Sequence, residues 1–494
     1  MSSSPTTAVA LNEAPAPGTP EARRALEFPL QADVTRPWVS RAVLIGSDLL
    51  TLGLAAIIAV VLRHWQEPTV IDIQVYVHLW PASVLFILGF AIERMYTVVG
   101  SNPADELRRG TMATTLVYLG IAAATFMMRG GEYYSRGIFV IAWLLSLVAV
   151  PLGRALVRKV FAPLPWWGYP VVVLGAGKTG EMIIKTLRRQ PELGLKPIAV
   201  LDDDPSKHGA LQNVPVPGGL DLAANLAQRG GVSYAIVAMP GVPHARLLEI
   251  VERYAYTFSH LIVIPDLFGF ASLRVPVQDL GGTLGLEVRQ QLLLPVPRFT
   301  KRAMDLLVTL IGGCLILPLL AVLALAVRLT SRGPVLFSQQ RPGKLGKPFR
   351  IWKFRTMHLD AEERFTRLTQ ELRDEFTRYG KIRNDPRVTW VGSWMRKFSL
   401  DELPQLWNVL AGELSLVGPR PYLQNQVPNM KDFDDVVSKV VPGLTGLWQV
   451  SGRSELTFEE RLKLDAYYVR NWSIWLDIWI MARTVPVLLG KGAY

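Results

Sequence analysis

Five long apolar runs constrain the fold of this chain more than any other feature of its sequence. Four of them follow one another closely, at residues 43–62, 75–92, 111–128 and 137–153. The fifth covers residues 303–327 and is interrupted only by Asp305 near its start. A helix that crosses the hydrocarbon core of a bilayer needs about 20 apolar residues. We therefore predict four transmembrane helices within residues 38–160. A disordered tail at residues 1–37, rich in proline, alanine, serine and threonine, precedes them.

The composition supports a membrane protein and narrows its partners. Half of the 494 residues are hydrophobic, which is more than a soluble enzyme of this size needs. The one cysteine, Cys314, cannot form an intrachain disulfide. A formal net charge of +12 suits nucleic acid, anionic lipid or phosphorylated substrates. Because the cations flank apolar runs and cluster in the C-terminal third, we expect lipid and phosphate partners and no nucleic acid.

The cations that flank the first four runs predict the membrane orientation. They are richest before the first run, after the second and after the fourth: Arg23, Arg24, Arg36, Arg41, Arg94, Arg108, Arg109, Arg154, Arg158 and Lys159. The other two loops are poorer in cations. The positive-inside rule then places both termini, and everything after Lys159, in the cytoplasm of a multi-pass protein.

A soluble α/β unit is predicted at residues 165–280. A buried-strand pattern at residues 171–174 is followed at once by a G-x-G-x-x-G pattern, and a second strand pattern ends at an acid. The residues concerned are Gly175, Gly177, Gly180 and Asp202. This is the context of a Rossmann-like fold, in which backbone N–H groups hold a phosphate and the acid binds a ribose. The glycines also serve a tight turn alone, so cofactor binding stays open here.

The fifth apolar run does not have the flanks of a simple crossing. Lys301 and Arg302 precede it, Arg328 and Arg332 follow it, and Pro318 lies in its middle. A spanning helix should show charge asymmetry, and an internal proline bends a helix. We expect a re-entrant helix at residues 302–328 that returns to the cytoplasmic face. A kinked ordinary crossing is the alternative.

The C-terminal third carries cationic and acidic motifs. Apolar and polar side chains alternate along both arms of residues 335–355, which predicts a hairpin. Its cations, including Lys353 and Arg355, suit phosphate contact or a solvated surface. Ser399 precedes Glu402 by three residues, which predicts a capping box at a helix start. The same geometry places Asp401 and Glu402 at the positive end of a helix, as a nucleophile toward phosphorus and a Mg²⁺ ligand.

Further arginines accompany this acidic pair. Arg396 stands one turn upstream, Arg420 follows in a rigid Gly-Pro-Arg-Pro turn, and Arg453 ends a glycine-rich run that begins at Pro442. Guanidinium groups bind phosphate through two parallel hydrogen bonds. Each motif alone is a weak signal.

Together these motifs resemble the bacterial sugar transferase family, the monotopic phosphoglycosyl transferases. In order they are Lys301-Arg302-x-x-Asp305, Lys353-Phe354-Arg355-Thr356-Met357, Asp401-Glu402, the turn at 418–421 and the run at 442–453. The resemblance covers residues 299–494 by motif, after a linker or hairpin at residues 281–298. The layout of the rest resembles the long members, the undecaprenyl-phosphate galactose or glucose phosphotransferases. The fold class is thus an α/β multidomain membrane protein with a four-helix bundle, a Rossmann-like domain and a re-entrant-helix catalytic domain.

The resemblance implies a function and a set of site residues. A hexose 1-phosphate would pass from UDP-hexose to undecaprenyl phosphate, releasing UMP, in the first membrane step of O-antigen, capsule or exopolysaccharide synthesis. Asp401 would carry the covalent phosphosugar, Glu402 would bind Mg²⁺, and Arg396 and Arg420 would bind phosphate. The remaining positions would contact phosphate (Lys353, Arg355, Arg453) or the membrane and polyprenyl chain (Lys301, Arg302, Asp305, Pro318). A homodimer in the bacterial inner membrane is also implied.

Two other functions stay open from the sequence. An NAD-dependent sugar-nucleotide dehydratase or oxidoreductase could act through residues 171–265, although no Tyr-x-x-x-Lys pattern follows the glycines. A membrane scaffold without turnover is the third class. Near the C-terminus, Trp472, Trp475, Leu476, Trp479 and Ile480 share a helical face, which predicts a helix on the membrane surface or, alternatively, in the core.

Overall fold

The computed structural model divides the chain into two compact units, Met1–Leu267 and Phe268–Tyr494. It describes residues 35–66, 76, 79–99, 102–127, 134–264, 277–279, 284–286, 291–366, 369–372, 382, 385–424, 426, 430, 434–452 and 456–489. Nearly all of the predicted tail at 1–37, and the candidate residue Arg453, lie outside these ranges.

The first unit begins with four helices that match the four apolar runs. They are α1 (Pro37–Gln66), α2 (Ala82–Ile92), α3 (Pro103–Met127) and α4 (Arg136–Phe161). Of these, α1 and α4 are long and apolar enough to cross a membrane. Helix α2 has 11 residues, and α3 carries Asp105 and Glu106 in its first turn. The protein therefore has several apolar helices, and a complete four-span bundle stays a prediction.

Buried charges hold these helices together. Arg154 of α4 donates to both carboxylate oxygens of Asp48 on α1, at 2.8 and 2.6 Å, and to Glu106 of α3 at 3.0 Å. Arg158 donates to the same Glu106 oxygen at 3.2 Å. Asp48 and Arg154 are 1% and 2% exposed. Charges so far from water are retained only when they are paired, so Asp48 serves helix pairing and does not face the membrane surface.

The second half of this unit is the predicted Rossmann-like fold. Its strands are β1 (Tyr169–Leu174), β2 (Leu195–Leu201), β3 (Gly209–Leu211), β4 (Val214–Val216), β5 (Tyr234–Val237) and β6 (His260–Val263). Its helices are α5 (Lys178–Arg189), α6 (Ala223–Gly230) and α7 (His244–Ala255). Four strands form a parallel sheet in the order β2-β1-β5-β6, and β3 pairs antiparallel with β4. The strand β1 is buried along nearly its whole length, as its run of valines predicts.

The second unit contains one long apolar helix. Its elements are β7 (Val277–Asp279), β8 (Leu284–Leu286), α8 (Pro295–Thr330), β9 (Leu336–Pro342), β10 (Pro348–Phe354), α9 (Ala361–Thr366), α10 (Trp390–Lys397), α11 (Leu406–Ala411), β11 (Ser415–Val417), α12 (Asp434–Val437), β12 (Gly443–Thr445), α13 (Leu447–Ser451), α14 (Phe458–Asn471) and α15 (Ile474–Leu489). The predicted hairpin at 335–355 is confirmed, because β9 and β10 pair antiparallel. The short strands β11 and β12 pair in parallel.

Helix α8 is longer than the sequence predicted. It starts at Pro295 instead of residue 302, because two prolines suit its first turn, and it continues through Pro318 to Thr330. Its middle exposes large apolar side chains: Leu307, Leu310, Ile311, Leu315, Leu317 and Val322. This helix meets the length and composition of a membrane span.

The predicted tryptophan face of the C-terminal helix is buried in part. Trp472 and Leu476 are 5% exposed and Ile480 is fully buried. Trp475 and Trp479 are partly exposed, so a place for this helix on the membrane surface stays a prediction beside the alternative of a core helix. An apolar face alone does not distinguish lipid from a protein core.

Candidate functional site

The Asp401–Glu402 pair lies in a 3₁₀ segment, Leu400–Gln405, between α10 and α11. Ser399 has φ of 54° and makes no side-chain cap, so the predicted capping box is wrong. The backbone carbonyl of Ser399 accepts the Glu402 N–H at 3.2 Å, which leaves the serine hydroxyl no capping role. The Glu402 side chain turns instead to Lys353. A tight 3₁₀ turn thus presents the two carboxylates.

Lys353 and Glu402 form the central ion pair of the site. The Lys353 ammonium, near the end of β10, donates to Glu402 Oε1 at 2.6 Å. Burial alone would raise the pKa of Glu402, but the charges of Lys353 and Arg420 outweigh it and hold that pKa below its usual value. Glu402 is therefore an anion fixed between cations.

Asp401 is a carboxylate that has lost most of its hydration. Its residue is 9% exposed. Burial, and then the neighbouring Glu402 charge, raises the pKa of Asp401, while Lys353 and Arg396 oppose that rise. A poorly hydrated carboxylate next to cations is suited to attack an electrophile whose own anionic oxygens those cations attract.

The turn that carries Arg420 lies close enough to Glu402 for the arginine charge to lower the glutamate pKa. The N–H of Gly418 donates to the Thr445 carbonyl at 2.9 Å, and the N–H of Gly443 donates to the Pro419 carbonyl at 2.7 Å. A Cβ at Gly418 would lie 2.8 Å from the Gly443 nitrogen, so only glycine permits this approach. The guanidinium of Arg420 lies over the Trp448 ring, 5.7 Å from its centroid. Ring and turn together fix the direction of this cation.

Sequence reasoning missed several residues around Arg420. Asp465, fully buried on α14, accepts the Arg420 N–H at 3.3 Å and the Tyr422 hydroxyl at 2.7 Å. Burial raises the pKa of Asp465 to about 7. Burial and the neighbouring Arg420 charge lower the pKa of Arg341. Both residues reach the site from distant segments, and no local motif marks them.

The other predicted phosphate contacts divide between two places. Arg396 donates from Nε to the Thr356 hydroxyl at 2.9 Å and acts electrostatically on Asp401. Arg355 turns away, donating to the Ser331 carbonyl and hydroxyl at 2.8 Å each. The structure thus gathers Lys353, Arg396 and Arg420 near the acidic pair and places Arg355 at the end of α8.

The predicted membrane contacts Lys301, Arg302 and Asp305 bind within the second unit. Lys301 donates to Asp477 at 2.7 Å, and Asp305 accepts from the Ser415 hydroxyl at 2.7 Å. Arg302 donates to the Leu410 carbonyl at 2.8 Å. Pro318 is exposed within α8. These bonds anchor the start of α8, and contact with a polyprenyl chain stays a prediction.

The acidic pair offers two neighbouring carboxylates as possible magnesium ligands. Among the residues that the structure describes, no group of three or more His, Cys, Asp or Glu side chains could hold a metal. Mg²⁺ is often bound by one or two carboxylates together with substrate phosphates. Asp401 and Glu402 fit that mode, and a metal held by protein groups alone does not fit here.

The glycine-rich loop of the first unit borders a cleft of about 600 Å³. Gly175, Gly177 and Asp202 line it. Asp202 already accepts the Ala176 N–H at 2.8 Å and the Lys207 ammonium at 3.1 Å. Gly180 is explained by packing, because a Cβ there would lie 2.0 Å from the Gly175 carbonyl oxygen. Asp202, which the sequence predicted to bind a ribose, is thus hydrogen-bonded within its own loop. Cofactor binding stays a prediction.

Two family models match the chain. The bacterial sugar transferase model matches residues 296–491, and a CoA-binding domain model matches residues 93–265. The first match contains every described residue of the acidic site.

Relatives extend the likeness beyond the catalytic third. A UDP-galactose-lipid carrier transferase of Erwinia amylovora is 30% identical over 463 residues, 91% of this chain and 96% of that protein. An undecaprenyl-phosphate galactose phosphotransferase of Salmonella typhimurium is 32% identical over 73% of this chain and 77% of its own. A UDP-glucose:undecaprenyl-phosphate glucose-1-phosphate transferase of Escherichia coli is 36% identical over 66% and 68%.

Proposed function

The chain belongs to the bacterial sugar transferase family, and we propose that it moves a hexose 1-phosphate from UDP-hexose to undecaprenyl phosphate. The buried Asp401 beside the Lys353–Glu402 ion pair is the observation that carries this proposal. The relatives' names supply the donor and acceptor classes, with galactose or glucose as the hexose. The product would begin exopolysaccharide, capsule or O-antigen synthesis at the inner membrane.

The proposed reaction has two displacement steps at one phosphorus atom. A carboxylate oxygen of Asp401 bonds to the β-phosphorus of UDP-hexose, the bond from that phosphorus to the bridging oxygen breaks, and UMP leaves with that oxygen. The hexose phosphate is then held as an acyl phosphate. A phosphate oxygen of undecaprenyl phosphate next bonds to the same phosphorus. The acyl-phosphate bond breaks, and the Asp401 carboxylate is regenerated.

The cations of the site support the charge changes of this reaction. Arg420 and Arg396 are positioned to bind the diphosphate, since Arg420 is fixed over Trp448 and Arg396 by Thr356. Mg²⁺ bound at Glu402 would neutralise part of the diphosphate charge. Lys353 keeps Glu402 ionised and in place. Fixed charges of this kind favour the transition state because they need no reorganisation.

Purified membranes offered a panel of UDP-sugars test this function directly. We expect UMP release with UDP-galactose or UDP-glucose and incorporation of the hexose phosphate into a lipid fraction. NAD reduction without UMP release would instead support an oxidoreductase acting through the glycine loop. No product in either assay would favour the scaffold.

Removal of divalent metal should stop UMP release. The acidic pair provides too few ligands to hold Mg²⁺ without the substrate, so the ion should be lost easily to EDTA and restored by added MgCl₂. The measurement is UMP release in membranes before and after chelation. Undiminished release in EDTA would contradict a metal-dependent first step.

The packing of α8 supports a re-entrant path. At its start, Asp305 bonds Ser415, and towards its end Leu323 packs in a cluster with Phe354 and Met395. In a straight helix residues 305 and 323 would be about 27 Å apart along the axis, close to the thickness of a bilayer core. Yet both contact elements of the same soluble unit. We propose that both ends of α8 lie on the cytoplasmic side.

An accessibility experiment tests this topology. A tag after Tyr494 should be unreactive to an impermeant reagent in intact cells and reactive after permeabilisation. The same tag inserted at residues 67–75, which the charge pattern places outside, should react in intact cells. External labelling of the C-terminal tag would overturn the re-entrant path. The homodimer implied by the resemblance stays a prediction.

A further inference from the structure

Arg355 is a buried cation with unused hydrogen-bonding capacity. It is 7% exposed, and only its Nη2 atom bonds, to Ser331. Within the described part of the chain its Nε and Nη1 atoms are buried without a partner. No carboxylate forms an ion pair with it there. A buried guanidinium without a counter-charge is costly, which points to an anion that completes it.

A second arginine meets Arg355 at the end of α8. Arg328, exposed on the last turn of α8, donates to the Gly333 carbonyl at 2.9 Å. Gly333 has φ of +121°, and a Cβ there would lie 2.3 Å from Arg355 Nη1. The two guanidinium groups therefore converge on one glycine turn. Their like charges lower the pKa of Arg355, after the larger effect of burial.

Exposed apolar side chains border this pair of cations. Leu329 is 78% exposed on the last turn of α8, and Leu359 is 64% exposed. A Leu359 methyl lies 2.8 Å from the position of a Cβ on Gly333, so that side chain lies beside the Arg355 guanidinium. Cations surrounded by exposed leucines at the end of a membrane helix suit an amphiphile with a phosphate head and a hydrocarbon chain.

We propose that Arg355 and Arg328 bind the phosphate head of the lipid acceptor, and this assignment rests on the proposed function. The acceptor chain would follow the exposed apolar surface of α8 from Leu329. The phosphate would pair with the unused Nε and Nη1 atoms of Arg355 once the exposed Leu359 side chain turns aside. The hydroxyl of Thr356, the residue after Arg355, accepts from Arg396, and the Arg396 charge acts on Asp401, so two consecutive residues link the end of α8 to the acidic site.

The two half-reactions separate this role from the proposed function. The full-length enzyme is reconstituted in phosphatidylcholine vesicles, and exchange of labelled UMP into UDP-hexose is measured without acceptor. Absence of exchange in the wild type would refute the covalent mechanism, and the dependence of transfer on acceptor concentration tests Arg355 separately. Transfer is then measured against undecaprenyl phosphate concentration.

For the variants we expect weaker binding of the lipid acceptor. R355Q should raise the KM for undecaprenyl phosphate about 10- to 100-fold, the worth of one or two charge-assisted hydrogen bonds. R355K should recover part of this loss, and R328Q should show a smaller rise. The exchange rate should change far less than the KM. The neighbouring exposed Arg332 is the matched control, and R332Q should leave both measurements unchanged.

Three results would overturn the assignment. Equal losses of exchange and transfer in R355Q and R328Q would mean a structural role. If R355Q does not fold and the exposed variant R328Q has an unchanged KM, the assignment of the acceptor site would also be contradicted. A KM change that appears only when the vesicles contain phosphatidylglycerol would assign the two arginines to bulk anionic lipid.

Discussion

Asp401→Asn is expected to abolish turnover while the protein stays folded. The amide keeps the shape of the side chain but has no anionic oxygen to bond to phosphorus, so UMP release should fall by about 10³-fold or more. Burial raises the pKa of Asp401, which therefore protonates at a higher pH than an exposed aspartate would. Because the attacking form is deprotonated, the wild-type rate should fall as the pH decreases through that raised pKa.

Asp360→Asn is the matched control for this experiment. Asp360 lies in the same unit, is exposed, and forms an ion pair with Arg364, four residues further along, at 2.8 Å. This variant should release UMP at the wild-type rate, and both variants should give the wild-type midpoint of thermal unfolding. A near-normal rate for Asp401→Asn, or a phosphosugar trapped on another side chain, would exclude Asp401 as the nucleophile.

Periodic patterns predicted the elements that local sequence determines. The valines of β1 and the glycines after them predicted a parallel α/β sheet, because a strand that is buried on both faces is a nearly continuous apolar run. The alternation at 335–355 predicted the β9–β10 hairpin that brings Lys353 to Glu402. Both features depend on residues that are close in the sequence.

Features that depend on distant segments could not be predicted in this way. Ser399 and Glu402 match a capping box, but Lys353 from another strand takes the glutamate side chain. The apolar face of α15 matches a membrane-surface helix, but Leu476 and Ile480 on that face are buried in the protein. Asp465 has no motif around it, and only the folded chain brings it to Arg420. Tertiary contacts decided each case.

The same distinction explains Asp48. Asp48 is the only ionised residue of the first apolar run, at residues 43–62. The fold brings it to Arg154, 106 positions away, in a bidentate pair. A single acid in a run predicts that a partner is needed, but only packing identifies that partner.

Asp477→Ala is expected to cause the largest loss of stability of any single carboxylate in the second unit outside the acidic pair. Asp477 is fully buried and accepts from the Lys301 ammonium, the Tyr468 hydroxyl and the Trp472 indole N–H, at 2.7, 2.7 and 3.0 Å. Removing it leaves the Lys301 charge buried without its closest partner, which typically costs about 3–5 kcal/mol. The measurement is thermal unfolding of the detergent-solubilised protein, with Asp360→Ala as the exposed control.

A double variant shows whether the lost stability comes from the Lys301 charge. In Lys301→Met/Asp477→Ala the cation is gone as well. The remaining cost is then that of the Trp472 indole N–H and a small cavity, because the Tyr468 hydroxyl can still donate to the Val417 carbonyl at 2.9 Å. We expect the double variant to be more stable than Asp477→Ala alone. A double variant that is less stable than either single variant would mean that Lys301 is satisfied elsewhere. The start of α8 would then be held to the soluble unit chiefly by Asp305 and Arg302 instead of by this buried pair.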